Sequence, residues 1–327
     1  MARSLPPVAK DALILVGTFV VVLGGLYLYT GLWPPAVIVE SGSMMHREDE
    51  VVVVPLLRSY GRVGTIDPGD LVFVKKVNGK DDVETWAMGG DVYYGKSGDV
   101  IVYYKLGNRK TTPIIHRAIA YVDVVEQSGR TYYDVKWQPG ATCPGGSTRT
   151  KADTCRFGEN GVSLPAAGVA NYQPRRSGFI TKGDNPVTNS RADQQSGLSD
   201  IVQPEWIEGK ARSEVPWLGL IKLAISPDYN EPQCATSRSG FLLFEASKSS
   251  ACRGWIGFGK AYAPQDLWVM LILTLGLLIG GPIAFDAARA HWQRTRGGGG
   301  AAPAVESTST APPPAEPPSG APPDREP

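Results

Sequence analysis

The chain has 327 residues, a formal net charge of +1 and an isoelectric point near 7.6. This length allows one or two domains with a buried core. The near-neutral charge, without a basic stripe interleaved with aromatic residues, excludes nucleic acid as an expected partner.

The first predicted element is a transmembrane helix over residues 12–33. The stretch "ALILVGTFVVVLGGLYLYTGLWPPAV" contains no charged residue, and about 20 apolar residues suffice to cross a bilayer. Arg3 and Lys10 precede it, and because basic residues favour the cytoplasmic side, residues 1–11 are predicted to be cytoplasmic. A cleaved signal peptide is the alternative, but its apolar core would be shorter and would not continue into an aromatic belt that reaches Trp33.

Between the two apolar runs of the chain, residues 34–265 are predicted to form an extracytoplasmic domain. The segments "GDLVFVKKV", "GDVIVYYKL", "IIHRAIAYVDVV" and "TYYDVKW" are rich in β-branched and aromatic residues and are typical of strands. "GFIT" and "WIEGKARSEV" are weaker strand candidates, and Ser128-Gly129 predicts a turn. The predicted fold class is therefore mainly β, with one transmembrane helix at each end.

Four cysteines lie in this predicted outer region, and an even number outside the cytoplasm favours disulfides. Of the three possible connectivities we favour the pairing of nearest neighbours, each bridge contributing about 3 kcal/mol. A zinc site is the alternative, but the spacing lacks a C-x-x-C pattern and no histidine lies near. The candidate disulfide residues are Cys143, Cys155, Cys234 and Cys252.

The second apolar run predicts a transmembrane helix over residues 266–286. Its uniformly apolar sequence "LWVMLILTLGLLIGGPIAF" has no polar face, which argues against the alternative of a buried core helix. Arg289, Arg294 and Arg296 follow it and predict a cytoplasmic end. Residues 287–327 are predicted to be a disordered tail, because their Gly/Pro/Ala-rich composition cannot bury enough apolar surface to offset ordering.

Serine-dependent hydrolysis needs a nucleophile, a base and a group that orients the base. The three histidines differ in their surroundings: His291 follows the second apolar run, His46 lies in a charged stretch three residues after Ser43, and His116 lies in a strand pattern. Taken alone, His116 is typical of a core residue, and the "SGSM" segment is typical of a turn.

Taken together and in order, three motifs resemble conserved boxes of the type I signal peptidase family, in the branch found in archaea and in the endoplasmic reticulum. They are "SGSM", "IIHRAI" and "ITKGDN". "IDPGDLVFV", "SGDVIVYY" and "GKA…VPWLGL" resemble its remaining boxes, so the resemblance extends over residues 41–220. It implies a β-rich peptidase domain.

The resemblance also implies roles for the residues of two boxes. Ser43, directly before Met44, matches the nucleophile, and its backbone N–H and the hydroxyl of Ser41 are the implied donors to an oxyanion. Met44 belongs with these two serines to the implied substrate-binding segment. His116 stands where the bacterial branch carries a lysine base.

Two aspartates are candidates for the group that orients His116. Asp184 matches the first acidic position of the family, and Asp193 is the candidate for the second. The family commonly places the second aspartate six residues after the first, where this chain has Ser190. We assign the orienting role to Asp193 and expect Asp184 to shape the loop by bonding its own turn, with the reverse assignment left open.

A second departure from the family pattern follows the nucleophile. The family usually has a proline within a few residues and then Gly-Asp, whereas here "MHREDEVVVVPLLRSYGRVGT" intervenes. We interpret this stretch as a surface insertion.

The sequence therefore predicts a membrane-bound serine endopeptidase, a signal peptidase, that removes signal peptides from exported preproteins. It would be a multi-pass plasma-membrane protein with both termini cytoplasmic, and it would need no metal or cofactor. Preproteins and the lipid bilayer are the expected partners, with the translocation machinery as a further candidate. The alternatives are a catalytically inactive, doubly anchored β-rich envelope binding protein and a Ser-Lys peptidase that uses Lys75, Lys76 or Lys182.

Overall fold

A computed structural model describes residues 6–46, 64–225, 245–246, 255–258 and 261–297 of the chain. The chain divides into two compact units, Met1–Thr274 and Leu275–Pro327. The first unit contains all of the described strands, and the described part of the second consists of helix alone.

The described secondary structure comprises sixteen strands and four α-helices. The strands are Ala36–Ile38 (β1), Leu71–Lys76 (β2), Val92–Tyr93 (β3), Lys96–Ser97 (β4), Val100–Tyr103 (β5), Ile114–Gln127 (β6), Arg130–Lys136 (β7), Thr148–Lys151 (β8), Thr154–Phe157 (β9), Val162–Leu164 (β10), Val169–Tyr172 (β11), Gly178–Lys182 (β12), Ile207–Val215 (β13), Glu245–Ala246 (β14), Trp255–Phe258 (β15) and Ala261–Pro264 (β16). The helices are Pro7–Thr30 (α1), Asp193–Ser196 (α2), Leu220–Ile225 (α3) and Gln265–Gly297 (α4).

A nine-stranded antiparallel sheet forms the centre of the first unit. Its order is β1-β2-β13-β5-β6-β7-β9-β8, and β12 pairs with β6 outside this path. The prediction of a mainly β fold is confirmed, and the six predicted strand segments correspond to β2, β5, β6, β7, β12 and β13. β6 and β7 form a hairpin whose turn, Ser128-Gly129, has positive φ at both residues, as a tight two-residue hairpin turn requires.

The core of this unit packs on the central strands of the sheet. One buried cluster joins β6 and β7 to the strands beyond them through Val122, Val135 and Phe157. Another packs β5 against β6 and β12 through Ile101, Tyr103 and Phe179. Because β6 takes part in both clusters and pairs with β5, β7 and β12, side chains at its start are held in a fixed frame.

Two helices are long and apolar enough to cross a membrane, Ala9–Thr30 and Gln265–Arg294. The apolar side chains of the first are exposed to solvent, Leu28 to 83 %, unlike those of a core helix. The second continues past the predicted end at residue 286, because no proline and no glycine interrupts the segment until Gly297. Residues 287–297, predicted to belong to the disordered tail, are therefore helical, and the rest of the tail lies outside the described residues.

The structure pairs Cys143 with Cys155, with their Cα atoms 5.7 Å apart. This bridge joins the loop before β8 to the strand β9, where Cys155 is fully buried. Cys234 and Cys252 lie outside the described residues, as does most of the predicted insertion, 47–63.

Candidate active site

Ser43 lies in a short 3₁₀ turn, Gly42–Met44, that follows β1. The next side chain, Met44, is 1 % exposed and packs in a buried cluster with Val39, Val72 and Val100. Met44 therefore anchors the turn to the sheet. Met44 belongs to the predicted substrate-binding segment, but its side chain lies in the core beneath that segment. Ser43 itself lines a groove at the surface.

His116 is the third residue of β6, opposite Ile101 of β5, and its side chain is 3 % exposed. Its Nε2 lies 3.0 Å from Oγ of Ser43. Its Nδ1 lies 2.7 Å from Oδ2 of Asp193. A serine, a histidine and a carboxylate joined in this order are what proton transfer from a serine hydroxyl requires.

Asp193 begins α2, and its carboxylate is held by several donors. Oδ2 accepts hydrogen bonds from the hydroxyls of Thr181, at 2.7 Å, and Tyr103, at 2.9 Å. Burial raises the pKa of Asp193, but the neighbouring His116 and the hydrogen bonds outweigh burial and hold this pKa below its usual value. Asp193 is therefore ionised and fixed in place, ready to stabilise a protonated His116.

Asp184 occupies a second, separate buried cluster. Its Oδ1 and Oδ2 each lie 3.0 Å from Nε of Arg117, and its Oδ2 lies 2.8 Å from Nε2 of His46. Burial raises the pKa of Asp184, but Arg117 and the hydrogen bond from His46 outweigh it and hold the pKa well below the usual range. The expected bonds from Asp184 to its own turn are not among those of the described residues, because Arg117 and His46 take its carboxylate instead.

The two clusters lie on opposite faces of β6 because consecutive residues of a strand point to opposite sides. His116 and Arg117 are consecutive, so one aspartate serves each of them. This alternation separates Asp193, bonded to the histidine, from Asp184, bonded to the arginine. The geometry agrees with the expectation that Asp193 is the aspartate that contacts His116.

The loop after β12 holds the main chain of the serine turn. The backbone N–H of Asn185 donates to the carbonyl of Ser43 at 2.9 Å, and its side-chain amide donates to the carbonyl of Gly42 at 2.7 Å. Asn189 donates to the carbonyl of Ser43 at 3.1 Å. A Cβ at Gly183 would lie 2.6 Å from that same carbonyl oxygen, so only glycine permits this close approach.

A groove of about 1120 Å³ opens at the serine. The edge strand β1 forms one wall through Val37 and Ile38, and the start of β6 contributes Ile114, next to Ser43 and His116. These strand walls are apolar, whereas other parts of the lining are polar and include Glu40 and Lys222. A groove beside an edge strand suits an extended peptide, which can add to the sheet.

Ser41 is the remaining predicted site residue, and its Oγ lies 3.2 Å from Oγ of Ser43. The structure therefore brings together four predicted residues, Ser41, Ser43, His116 and Asp193, and leaves Asp184 beside them in its own cluster. In the described part of the chain, the hydrogen bonds of the Ser43 hydroxyl go to His116 and Ser41 and to no lysine.

Sequence reasoning missed several residues that support the site. Arg117 and Asn185 lie inside the quoted motifs, next to predicted site residues, so their position could have indicated a role at the site. Tyr103 and Asn189 have no local signal, because only the folded sheet brings them to the site. The charged sequence around His46 gives no signal of a site residue, yet its side chain is buried.

No protein-family model and no curated protein sequence gives a significant match to this chain.

Proposed function

We propose that the protein is a membrane-bound serine endopeptidase of the signal peptidase type, which cuts signal peptides from exported preproteins. The observation that carries the proposal is the unbroken hydrogen-bonded path from Ser43 through His116 to Asp193, beside a groove whose strand walls are apolar. The hydrogen-bonded path alone, or the groove alone, would not indicate catalysis. Together they supply a nucleophile, a base, an orienting group and a groove for a peptide.

The reaction is acyl transfer in two steps. Oγ of Ser43 attacks the scissile carbonyl carbon while Nε2 of His116 accepts the hydroxyl proton. The C–N bond breaks, His116 gives the proton to the leaving amine, and an ester on Ser43 remains. Water, deprotonated by His116, then hydrolyses the ester and restores the serine. Asp193 stabilises the imidazolium in both steps, and the hydroxyl of Ser41, 3.2 Å from the nucleophile, is a donor for the oxyanion.

The substrate class follows from where the groove lies along the chain. Trp33 and Ser43 are ten residues apart, which limits their separation to about 35 Å. Since α1 is long and apolar enough to span a membrane, the nucleophile is tethered close to the bilayer, where the C-terminal end of a signal peptide is presented. The resemblance of the serine, histidine and acidic motifs to those of signal peptidases supports the same substrate.

The choice of a histidine base, as in the archaeal and endoplasmic-reticulum branch, rests on distance. His116 is hydrogen-bonded to Ser43, whereas two of the lysines considered as bases, Lys75 and Lys76, are exposed at the end of β2. In this proposal the domain faces outward, both termini are cytoplasmic, and the translocation machinery is a candidate partner. Digestion of sealed cells by an external protease should then leave the C-terminal tail intact.

The test is cleavage of one preprotein by the purified full-length chain in detergent, with the new N-terminus identified by mass spectrometry. Ser43→Ala should abolish cleavage, and Ser213→Ala, at an exposed serine on β13, is the matched control. His116→Ala should be nearly inactive, with the exposed His291→Ala as its control. Normal turnover by Ser43→Ala would overturn the proposal and favour a binding protein without catalysis.

A further inference from the structure

His46 forms a second histidine–aspartate pair next to the first. It lies three residues after Ser43, its side chain is 1 % exposed, and its Nε2 lies 2.8 Å from Oδ2 of Asp184. We propose that His46 is a positioning residue that holds the Ser43 turn at the correct distance from His116. This inference rests on the proposed function, because it concerns the geometry of the same nucleophile.

The contacts of His46 complete a closed ring. From Ser43 the main chain leads to His46, whose side chain bonds Asp184, and Asp184 in turn bonds Arg117. Arg117 is the neighbour of His116 in β6, and His116 bonds Ser43. Because the ring is closed, loosening the bond between residues 46 and 184 frees the serine turn relative to the strand that carries the base.

Arg117 makes the far side of the ring rigid. Its guanidinium is 1 % exposed and donates to the carbonyls of Lys96 and Gly98 as well as to Asp184. Asp184 is therefore a fixed anchor, and the bond from His46 transmits that rigidity to the serine segment. Residues held by packing and by second-layer hydrogen bonds in this way set the precision of a site.

The turn is also held at its other side, so the role of His46 can be separated from that of the loop. Asn185 and Asn189 bind the carbonyls of Gly42 and Ser43, whereas His46 holds the chain after the turn. His46 is not among the residues that line the groove. Its loss should therefore change the chemical step rather than the binding of peptide.

The test compares two polar replacements in the preprotein assay. In His46→Gln the longer side chain carries its amide nitrogen near the position of Nε2 and can still donate to Asp184. In His46→Asn the shorter side chain carries it near the position of Nδ1 and cannot. We expect His46→Asn to lower kcat about 10–100-fold with KM unchanged, since a displacement of about 1 Å costs up to about 100-fold. His46→Gln should recover most of the loss.

Three results would overturn the proposal while wild-type protein still cleaves. They are a normal kcat in His46→Asn, a kcat in His46→Gln no better than in His46→Asn, and a loss that appears in KM instead of kcat. Melting temperatures of both variants in detergent are measured alongside, and a loss of kcat that only tracks unfolding also counts against the proposal. Absence of cleavage by wild-type protein would instead overturn the proposed function.

Discussion

The two aspartates of the site, Asp184 and Asp193, are alike in almost every local respect. They lie nine residues apart on neighbouring segments, both are buried, and the pKa of each is held below its usual value. Their partners differ. Asp184 bonds the permanently charged guanidinium of Arg117 and also the imidazole of His46. Asp193 bonds two hydroxyls and the imidazole of His116, the histidine that contacts Ser43.

This difference separates a structural carboxylate from one that can support proton transfer. An arginine remains charged throughout any reaction at ordinary pH, so the pair of Asp184 with Arg117 is constant. A histidine can accept and release a proton, so in the proposed reaction Asp193 would interact with a partner whose charge changes. Low carboxylate pKa alone therefore does not identify a functional group, because both carboxylates have a lowered pKa and a histidine partner, and only His116 contacts Ser43.

The largest effect is expected at the carboxylate beside the histidine. Asp193→Asn should lower kcat about 10⁴-fold, because the amide cannot stabilise the imidazolium and favours the wrong tautomer of His116. The melting temperature should change little, since the amide keeps the shape of the side chain, and the hydroxyls of Tyr103 and Thr181 can accept hydrogen bonds from its NH2 group. Kinetics and thermal unfolding of one preparation measure both quantities, and a kcat within tenfold of wild type would contradict the assignment.

Asp184→Ala should act mainly on stability. It leaves Arg117 buried without its anion, and breaking a buried pair in this way costs about 3–5 kcal/mol. Urea unfolding followed by circular dichroism measures the change in the free energy of unfolding. Asp81→Ala is the matched control, because it breaks the exposed pair with Lys136, for which about 1 kcal/mol or less is expected. Equal losses in the two variants would show that Asp184 is not a buried anchor.

Ser41→Ala tests the side of the site that neither aspartate reaches. Its hydroxyl lies 3.2 Å from that of Ser43, and loss of one donor to an oxyanion costs about 10²–10³ in kcat. KM should remain unchanged, because the interaction forms only in the transition state. A reduced but measurable rate is the expected result, and a rate as low as that of Ser43→Ala would mean that Ser41 shares the work of the nucleophile.

Glu214 extends the comparison to a carboxylate that forms no ion pair with any of the described residues. Burial raises the pKa of Glu214, a hydrogen bond from the N–H of Gly64 lowers it, and repulsion from Asp67 raises it. The resulting pKa is about 8. The folded state therefore retains a proton that the unfolded state loses above its own pKa near 4.3. Stability from this group is fully present below about pH 4 and is lost as pH rises towards 8, by about 1.4 kcal/mol for each pKa unit.

Glu214→Gln should remove this pH dependence, because an amide does not titrate. Urea unfolding of wild type and variant at pH 5 and pH 8 measures it, and the variant should gain relative to wild type at pH 8. An identical pH response in the two proteins would place the titration in another group.

Much of the sheet and the residues that meet at the candidate site could be predicted because their signals are local. Alternating β-branched residues mark β6 and β7, and the Ser128-Gly129 turn fixes their connection. Ser43, His116 and Asp193 stand within or close to recognisable motifs. The helical stretch up to Gly297 was not predicted, because composition suggested a tail beginning earlier than the first helix-breaking residue.

The different roles of the two aspartates could be predicted from the sequence only as a preference, and the reason is physical. The contact of Asp184 with His46 joins residues 138 positions apart, and no local pattern encodes such a separation. It arises because β12 pairs with β6 and brings the loop after it to Arg117. The turn chemistry of Gly-Asp-Asn is a weak local preference, and two buried donors outweigh it.

The placement of His116 and Arg117 as neighbours in β6 has a consequence for the folding of a newly made chain. Shifting a strand by one residue moves every side chain to the opposite face. A newly made chain whose β6 paired one residue out of step would present the guanidinium of Arg117 to Ser43. That group cannot accept a proton, so the mis-assembled product would be inert. As the proposed peptidase, the protein would thus cleave other proteins only after it had folded correctly.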